Sequence, residues 1–203
     1  MIRSLEDAWK WYKAVRTLAY DMRHLAGRCD RPEWEGALNS SNRLRGRSAA
    51  EFHDMSQTIL DDLDDLAVLV LFSVFEATVR ACAGADIDRE TAMITHVAMK
   101  QAIEELKEAI ASGSFAKVTS AYRNMDVDLT GRVNQVRKFR NWVAHGRRDA
   151  PENHVTPDEA FKRLTHYLDL LTASQTGGAP SLEPTAAPSP VELPLEAKQP
   201  GEA

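Results

Sequence analysis

The sequence LAVLVLFSVFEATVRACAG, residues 66–84, contains the longest apolar run of this 203-residue chain. The run covers ten residues, 66–75, and is too short to cross a bilayer, which takes roughly 20 apolar residues. Between positions 66 and 79 apolar side chains surround the predicted helix nearly all round, which is typical of a buried helix. The polar exceptions are Ser73, Glu76 and Arg80. We therefore predict a core helix with no membrane contact.

Helical periodicity continues on both sides of this helix, and strand signals are almost absent. Apolar residues at spacings of three and four predict a first helix over about 4–27 and a long helix from about Ala49 to Ala83, ending near Gly84. The remaining predicted helices are marked by Met99–Ile110 with a stop at Gly113, by Phe115–Met125, by Val133–Val143, and by a last segment that begins at Pro157. The fold class is an all-α bundle of about five helices.

The last helix has the clearest start and is followed by a change of composition. Thr156 can cap it, Pro157 suits the first helical position, and the acids that follow favour the positive end of the helix dipole. Six of the nine prolines lie between 180 and 200. We predict a folded domain over 1–173 and a disordered Pro/Ala-rich tail over 174–203, with a further loop over 29–47.

Charge and cysteine content restrict the functional classes. The net charge of −5 means that no whole-molecule field attracts nucleic acid, so any such contact needs a local basic patch. Cys29 and Cys82 are far apart and lack metal-ligand spacing, and the N-terminus carries charges throughout, unlike a signal peptide. We expect a cytoplasmic protein that uses neither a metal nor another cofactor.

One local basic patch surrounds the sequence RNWVAH at positions 140–145. On a helix that turns ~100° per residue, Arg140 falls at the edge of the apolar face, and Asn141 and His145 lie one above the other. An arginine at the edge of a core needs a carboxylate, a phosphate or water. Residues 131–148 contain no acid, and the further cations are candidates to bind RNA phosphates: Arg132, Arg137, Lys138, Arg147 and Arg148.

An arginine and a following histidine with four to six residues between them occur at five places in the chain, so that spacing alone is weak evidence. Arg140 and His145 differ from the other pairs because Asn141 follows the arginine, the helix is strongly periodic and Gly146 ends it. An arginine can neutralise a phosphate, and a histidine can give a proton to a leaving alkoxide. These residues are therefore candidates for catalysis.

The motif RNWVAHG resembles the R-N-x-x-x-H signature of the HEPN superfamily, small helical bundles that include many metal-independent endoribonucleases. LVLFSVFEATVRACAG, residues 69–84, is similar to the Glu-bearing core helix of the RiboL-PSP-type branch. The resemblance implies that Arg140 and His145 act on the RNA phosphate and 2′-hydroxyl, that Asn141 positions them, and that the site lies between two protomers of a homodimer. It also implies a toxin or defence effector restrained by an antitoxin or other regulatory protein.

Ser73, Glu76 and Arg80 form one polar seam on the core helix, and this seam has two explanations. Glu76 and Arg80 are four residues apart and can pair within the helix. Alternatively, Glu76 reaches the motif helix and holds Arg140, with Ser73 and Arg80 in support.

The sequence LDDLDDL, residues 60–66, leaves a third and weaker alternative, a metal-dependent phosphate enzyme. Asp61, Asp62 and Asp65 match the D-D-x-x-D pattern that holds Mg²⁺ in prenyl-diphosphate enzymes, although no second acidic motif follows. A solvated helix face is the favoured interpretation. The main alternative to the ribonuclease keeps the HEPN-like bundle and its dimer as an RNA- or protein-binding module without catalysis.

Overall fold

The computed structural model describes residues 2–28, 47–121, 126–148 and 150–176. These residues form helices and connecting turns, and no strand occurs among them. The helices are α1 (Leu5–Ala26), α2 (Ala49–Thr91), α3 (Val97–Ser112), α4 (Phe115–Ala121), α5 (Val127–Ala144) and α6 (Pro157–Thr176). The all-α class is confirmed, with six helices in this part of the chain. The predicted loop over 29–47 and the predicted tail over 174–203 lie outside the described residues, apart from Arg47 and residues 174–176, which form the end of α6.

The helix boundaries follow local capping signals. Ser48 and Glu51 form a reciprocal capping box at the start of α2. At the start of α6, Thr156 Oγ1 accepts a hydrogen bond from the backbone N–H of Glu159, whose carboxylate accepts one from the N–H of Thr156. Gly113 ends α3 as predicted, and a Cβ there would lie 2.2 Å from the carbonyl oxygen of Ala109. Only glycine fits that turn without a shift of the backbone.

The predicted end of the long helix at Gly84 is wrong, because α2 continues to Thr91. A glycine inside a helix costs only about 1 kcal/mol relative to alanine, which neighbouring contacts can offset. Here α3 packs against this extension, and Lys107 Nζ lies 2.6 Å from Asp88 Oδ1 across the two helices. The stop signal at Gly84 is therefore overridden by contacts that are distant in sequence.

Helix α2 is the centre of the bundle and packs against each of α1, α3, α4, α5 and α6. Its core side chains are fully buried: Val68, Leu71, Phe72, Phe75 and Val79. The Phe75 ring meets Tyr167 of α6 and Phe115 of α4 edge to face. Burying one such aromatic or aliphatic side chain contributes about 1.5–3 kcal/mol, so this face of α2 fixes the positions of its neighbours.

By length and composition alone, α2 could also cross a membrane, although the core helix of a soluble protein passes the same test. Of its most apolar 18-residue window, 39% is buried against the rest of the chain.

Candidate functional site

Helix α5 carries the motif and presents it as the helical wheel predicts. Asp126 caps its start by accepting a hydrogen bond from the N–H of Leu129 at 2.8 Å. Val133, Val136 and Phe139 are buried against the bundle. Arg140 lies at the edge of this buried face, and its side chain is 29% exposed. The guanidinium therefore lies at the boundary between the core and the surface.

Arg140 is held by contacts on three sides. Its Nη2 donates to Oε2 of Glu76 at 3.3 Å, and its Nη1 donates to Oδ1 of Asn141 at 3.0 Å. The guanidinium carbon lies 5.5 Å from the centre of the Phe72 ring, within the range of a cation–π contact. The Nε atom is buried and has no hydrogen-bond partner among the described residues. The predicted contact between Glu76 and Arg140 is thus present.

Glu76 also pairs with Arg80, so the two explanations for the polar seam hold together. Glu76 Oε1 lies 2.7 Å from Nη2 of Arg80 and accepts from its Nε at 3.2 Å. Arg80 in turn donates to the backbone carbonyls of Ile110 and Gly113 at the end of α3. Two cations and one anion leave this triad with a net charge of +1. Unpaired positive charge therefore remains beside the motif.

Ser73 does not belong to this triad. Its side chain is exposed, and its hydroxyl donates to the carbonyl of Leu69 on the same helix at 2.8 Å. Within the described residues it makes no hydrogen bond to Glu76 or Arg140. Ser73 is three residues from Glu76, but its hydroxyl bonds within its own helix and gives the predicted support to neither Glu76 nor Arg140.

His145 is exposed and is the C-cap of α5. Its N–H donates to the carbonyl of Asn141 at 2.9 Å, so Asn141 contacts Arg140 through its side chain and His145 through its backbone. Gly146 follows at φ 81° and donates to Val143, and the N–H of Arg147 donates to Trp142. This pair of bonds is a Schellman motif, as expected for a helix that ends at glycine.

The Asp cluster of α2 meets the end of α5. Asp62 Oδ1 lies 2.7 Å from Arg147 Nη1, and Asp65 Oδ2 lies 2.9 Å from Arg147 Nε. The hydrogen bond that Arg147 donates to Asp62 raises the pKa of Arg147 above its ordinary value. Asp61 instead accepts from Gln57 at 2.6 Å. Two of the three acids are therefore partners of a cation and not a freely solvated face.

The three acids do not converge on one point, and no group of three or more His, Cys, Asp or Glu side chains in the described ranges is placed to hold a metal ion. A fourth acid of the cluster, Asp64, accepts a hydrogen bond from the hydroxyl of Tyr12 at 2.8 Å. Burial of that phenol and this bond raise the pKa of Tyr12. This contact could not be predicted from the sequence, because no local feature marks Tyr12 as the partner of Asp64.

The other predicted phosphate-binding cations divide into two groups. Arg132 pairs with Asp128, and Lys138 Nζ lies 2.7 Å from Oε2 of Glu152. Arg137 donates to the neutral Asn134 side chain at 2.9 Å. Neither Arg137 nor Arg148 forms an ion pair within the part of the chain that the structure describes. With Arg147 bound to aspartates, these two are the cations least compensated by carboxylates.

An open depression of about 370 Å³ lies beside the motif. Asn141, Trp142 and Arg148 line it, together with Lys138, Phe139 and the segment 150–153. The Trp142 indole packs on Phe139 with ring centres 5.4 Å apart, and its Nε1 donates to the carbonyl of Arg148 at 3.0 Å. The depression thus joins an amide, an indole and a cation at the surface.

Searches of the chain against models of protein families, curated proteins and solved structures found no match.

Proposed function

We propose that this chain is a metal-independent endoribonuclease of the HEPN type. The observation that carries the proposal is the linked arrangement of Arg140, Asn141 and His145 at the end of α5, with Glu76 holding the arginine. The triad of Glu76, Arg80 and Arg140 has a net charge of +1, which suits a phosphate anion. The Arg140 side chain is 29% exposed, so part of its guanidinium can be reached by a phosphate.

RNA carries its own nucleophile, the 2′-hydroxyl, which makes the chemistry feasible with protein groups alone. In the proposed reaction the 2′-oxygen loses its proton to a base and bonds to the adjacent phosphorus. The bond from phosphorus to the 5′-oxygen then breaks, and His145 gives that oxygen a proton. Arg140 neutralises the charge that gathers on the non-bridging oxygens. The products are a 2′,3′-cyclic phosphate and a 5′-hydroxyl.

One exposed histidine per chain serves poorly as both base and acid. A two-fold homodimer brings a second His145 into one cleft, so we propose a composite site between two protomers. We further propose that the protein is a cytoplasmic toxin or defence effector that a partner protein restrains.

The proposed substrate is single-stranded RNA, because a surface cleft can reach its splayed bases and 2′-hydroxyls.

A second candidate is a non-catalytic HEPN-like module that binds RNA or protein. The observation in its favour is that Arg132, Lys138 and Arg147 are already matched by carboxylates. Such a surface presents less positive charge to RNA than the sequence suggests.

Cleavage assays on the purified protein separate these functions. Wild type, His145→Ala and the control His166→Ala, which removes an exposed histidine of α6, are incubated with single-stranded RNA with and without EDTA. We expect cleavage by wild type and the control in EDTA, and none by His145→Ala. Absence of cleavage by a dimer that still binds RNA favours the binding module. Loss of wild-type cleavage in EDTA favours a metal-dependent phosphate enzyme instead.

A further inference from the structure

The turn after α5 has an unusual backbone. Gly146 and Arg147 follow each other at φ 81° and 56°. The first position suits glycine, but L-residues with a Cβ disfavour this left-handed region. Arg147 is the one non-glycine residue with positive φ among the described residues. Contacts outside the turn must therefore stabilise it.

Two carboxylates supply those contacts. Asp62 and Asp65 are three residues apart on α2, so both side chains project from the same face of that helix. Their oxygens meet two different nitrogens of the Arg147 guanidinium, Nη1 at 2.7 Å and Nε at 2.9 Å. Charge-assisted contacts at two nitrogens fix the direction of an arginine as well as its position. We call this arrangement the aspartate fork.

Helix α2 therefore holds the motif at both ends. Glu76 holds Arg140, while the aspartate fork holds Arg147, two residues after His145. Asp62 and Asp65, early in α2, contact Arg147 just after the end of α5. Glu76, later in α2, contacts Arg140, which comes earlier in the chain than Arg147. The two helices therefore run antiparallel. The exposed His145 lies between the two attachments and has no side-chain hydrogen bond within the described residues.

We propose that Asp62, Asp65 and Arg147 are positioning residues, and that the aspartate fork fixes the position of His145 relative to Arg140. This inference rests on the proposed ribonuclease function. It changes the role expected for Arg147, because a guanidinium bound to two aspartates holds the turn and does not bind the phosphate of RNA.

The two roles give opposite results when the acids are neutralised. If Asp62 and Asp65 only neutralise the charge of Arg147, their replacement reduces repulsion of RNA and frees Arg147 for phosphate, so KM falls and kcat stays the same. If they position His145, the double variant Asp62→Asn/Asp65→Asn loses kcat. A misplacement of about 1 Å costs a catalytic group up to about 100-fold. We therefore expect kcat to fall about 10-fold or more, with KM within about twofold of wild type.

Asp61→Asn is the matched control, because Asp61 has the same charge on the same helix and contacts Gln57 but not Arg147. We expect its kcat and KM to equal those of wild type. The melting temperature of each variant shows that it is folded. An unchanged kcat in the double variant, or an equal loss in Asp61→Asn, overturns the proposal.

Amide hydrogen exchange tests the aspartate fork without using activity. In the double variant we expect exchange at Gly146 and Arg147 to be about 10-fold faster or more, because both N–H groups are bonded in the turn. Exchange in Asp61→Asn should equal that of wild type. Unchanged exchange in the double variant overturns the inference even if RNA is cleaved. If wild type cleaves no RNA, the proposed function fails, and faster exchange still supports the role of the fork in holding the turn.

Discussion

Glu76 accepts a hydrogen bond from Arg140 at 3.3 Å, and the two residues are 64 positions apart in the chain. Each is an ionisable residue on a helix face that otherwise packs into the core. Glu76 meets Arg80 as well, so one carboxylate compensates two guanidinium groups. Replacement of Glu76 therefore removes the counter-ion of both arginines at once.

Glu76→Gln keeps the shape of the side chain and removes its charge. We expect the free energy of unfolding to fall by about 1.5–3 kcal/mol, the range for hydrogen bonds to charged groups, because two half-buried cations lose their counter-ion. Urea denaturation measures the change. Glu108→Gln on the exposed face of α3 is the control and should stay within about 0.5 kcal/mol of wild type. Equal effects of the two substitutions would contradict a special role for Glu76.

Gly146 and Gly131 allow a test of the backbone turn after α5. A Cβ meets nothing within 4 Å at either position, so backbone conformation alone decides the effect of alanine. Gly146→Ala places a Cβ at φ 81° and should destabilise the protein by about 1–2 kcal/mol. Gly131 is inside α5, and Gly131→Ala should stabilise the protein by about 0.5–1 kcal/mol. Thermal unfolding measures both, and shifts of the same sign would refute the assigned turn.

Two glutamates that cap helices should make the folded protein less stable in acid. Backbone hydrogen bonds lower the pKa of Glu51 and of Glu159 below their ordinary value of 4.5. The unfolded chain therefore binds these protons more readily, so this stabilisation is complete above pH 4.5 and is lost as the pH falls through the lower folded pKa values.

Glu51→Gln/Glu159→Gln removes both titrating groups. We expect the free energy of unfolding to depend less on pH in this variant than in wild type between about pH 5 and 3. Urea denaturation at a series of pH values provides the measurement. Parallel curves for the two proteins would show that neither cap contributes to the acid transition.

Salt dependence of RNA binding distinguishes the free cations from the paired ones. In a His145→Ala background, which prevents cleavage, Arg137→Ala and Arg148→Ala should each reduce the slope of log K against log salt by about 1. Arg132→Ala should change it less, because Asp128 already compensates that guanidinium. Fluorescence anisotropy with labelled single-stranded RNA measures the slopes. Equal slopes for all three variants would mean that ion pairing does not select the RNA contacts.

The features of the fold that sequence could predict are those fixed by neighbouring residues. Thr156 and Pro157 specify the start of α6, and Gly113 specifies the end of α3 through a steric conflict with Ala109. The contact between Glu76 and Arg140 was also predictable, because each residue interrupts an apolar face and needs a partner of opposite charge. These inferences depend on helical geometry and desolvation, which operate at every position of a helix.

Contacts between segments that are distant in the sequence were harder to predict. The ion pairs between Asp62, Asp65 and Arg147 join an acidic helix start to a turn after another helix, and many acids of the chain could have served equally well. The extension of α2 beyond Gly84 likewise depends on α3 packing against it. In both cases local pattern specifies the type of residue, while the tertiary fold selects the partner.

The sharing of one carboxylate by Arg80 and Arg140 has an evolutionary consequence. Arg80 donates hydrogen bonds to the carbonyls at the end of α3. The attachment of that helix and the position of Arg140 therefore both depend on the Glu76 side chain. A lineage that loses Glu76 leaves two cations uncompensated and must replace more than one residue to restore both contacts. Positions 76, 80 and 140 are therefore expected to change together among descendants of this protein, and not one at a time.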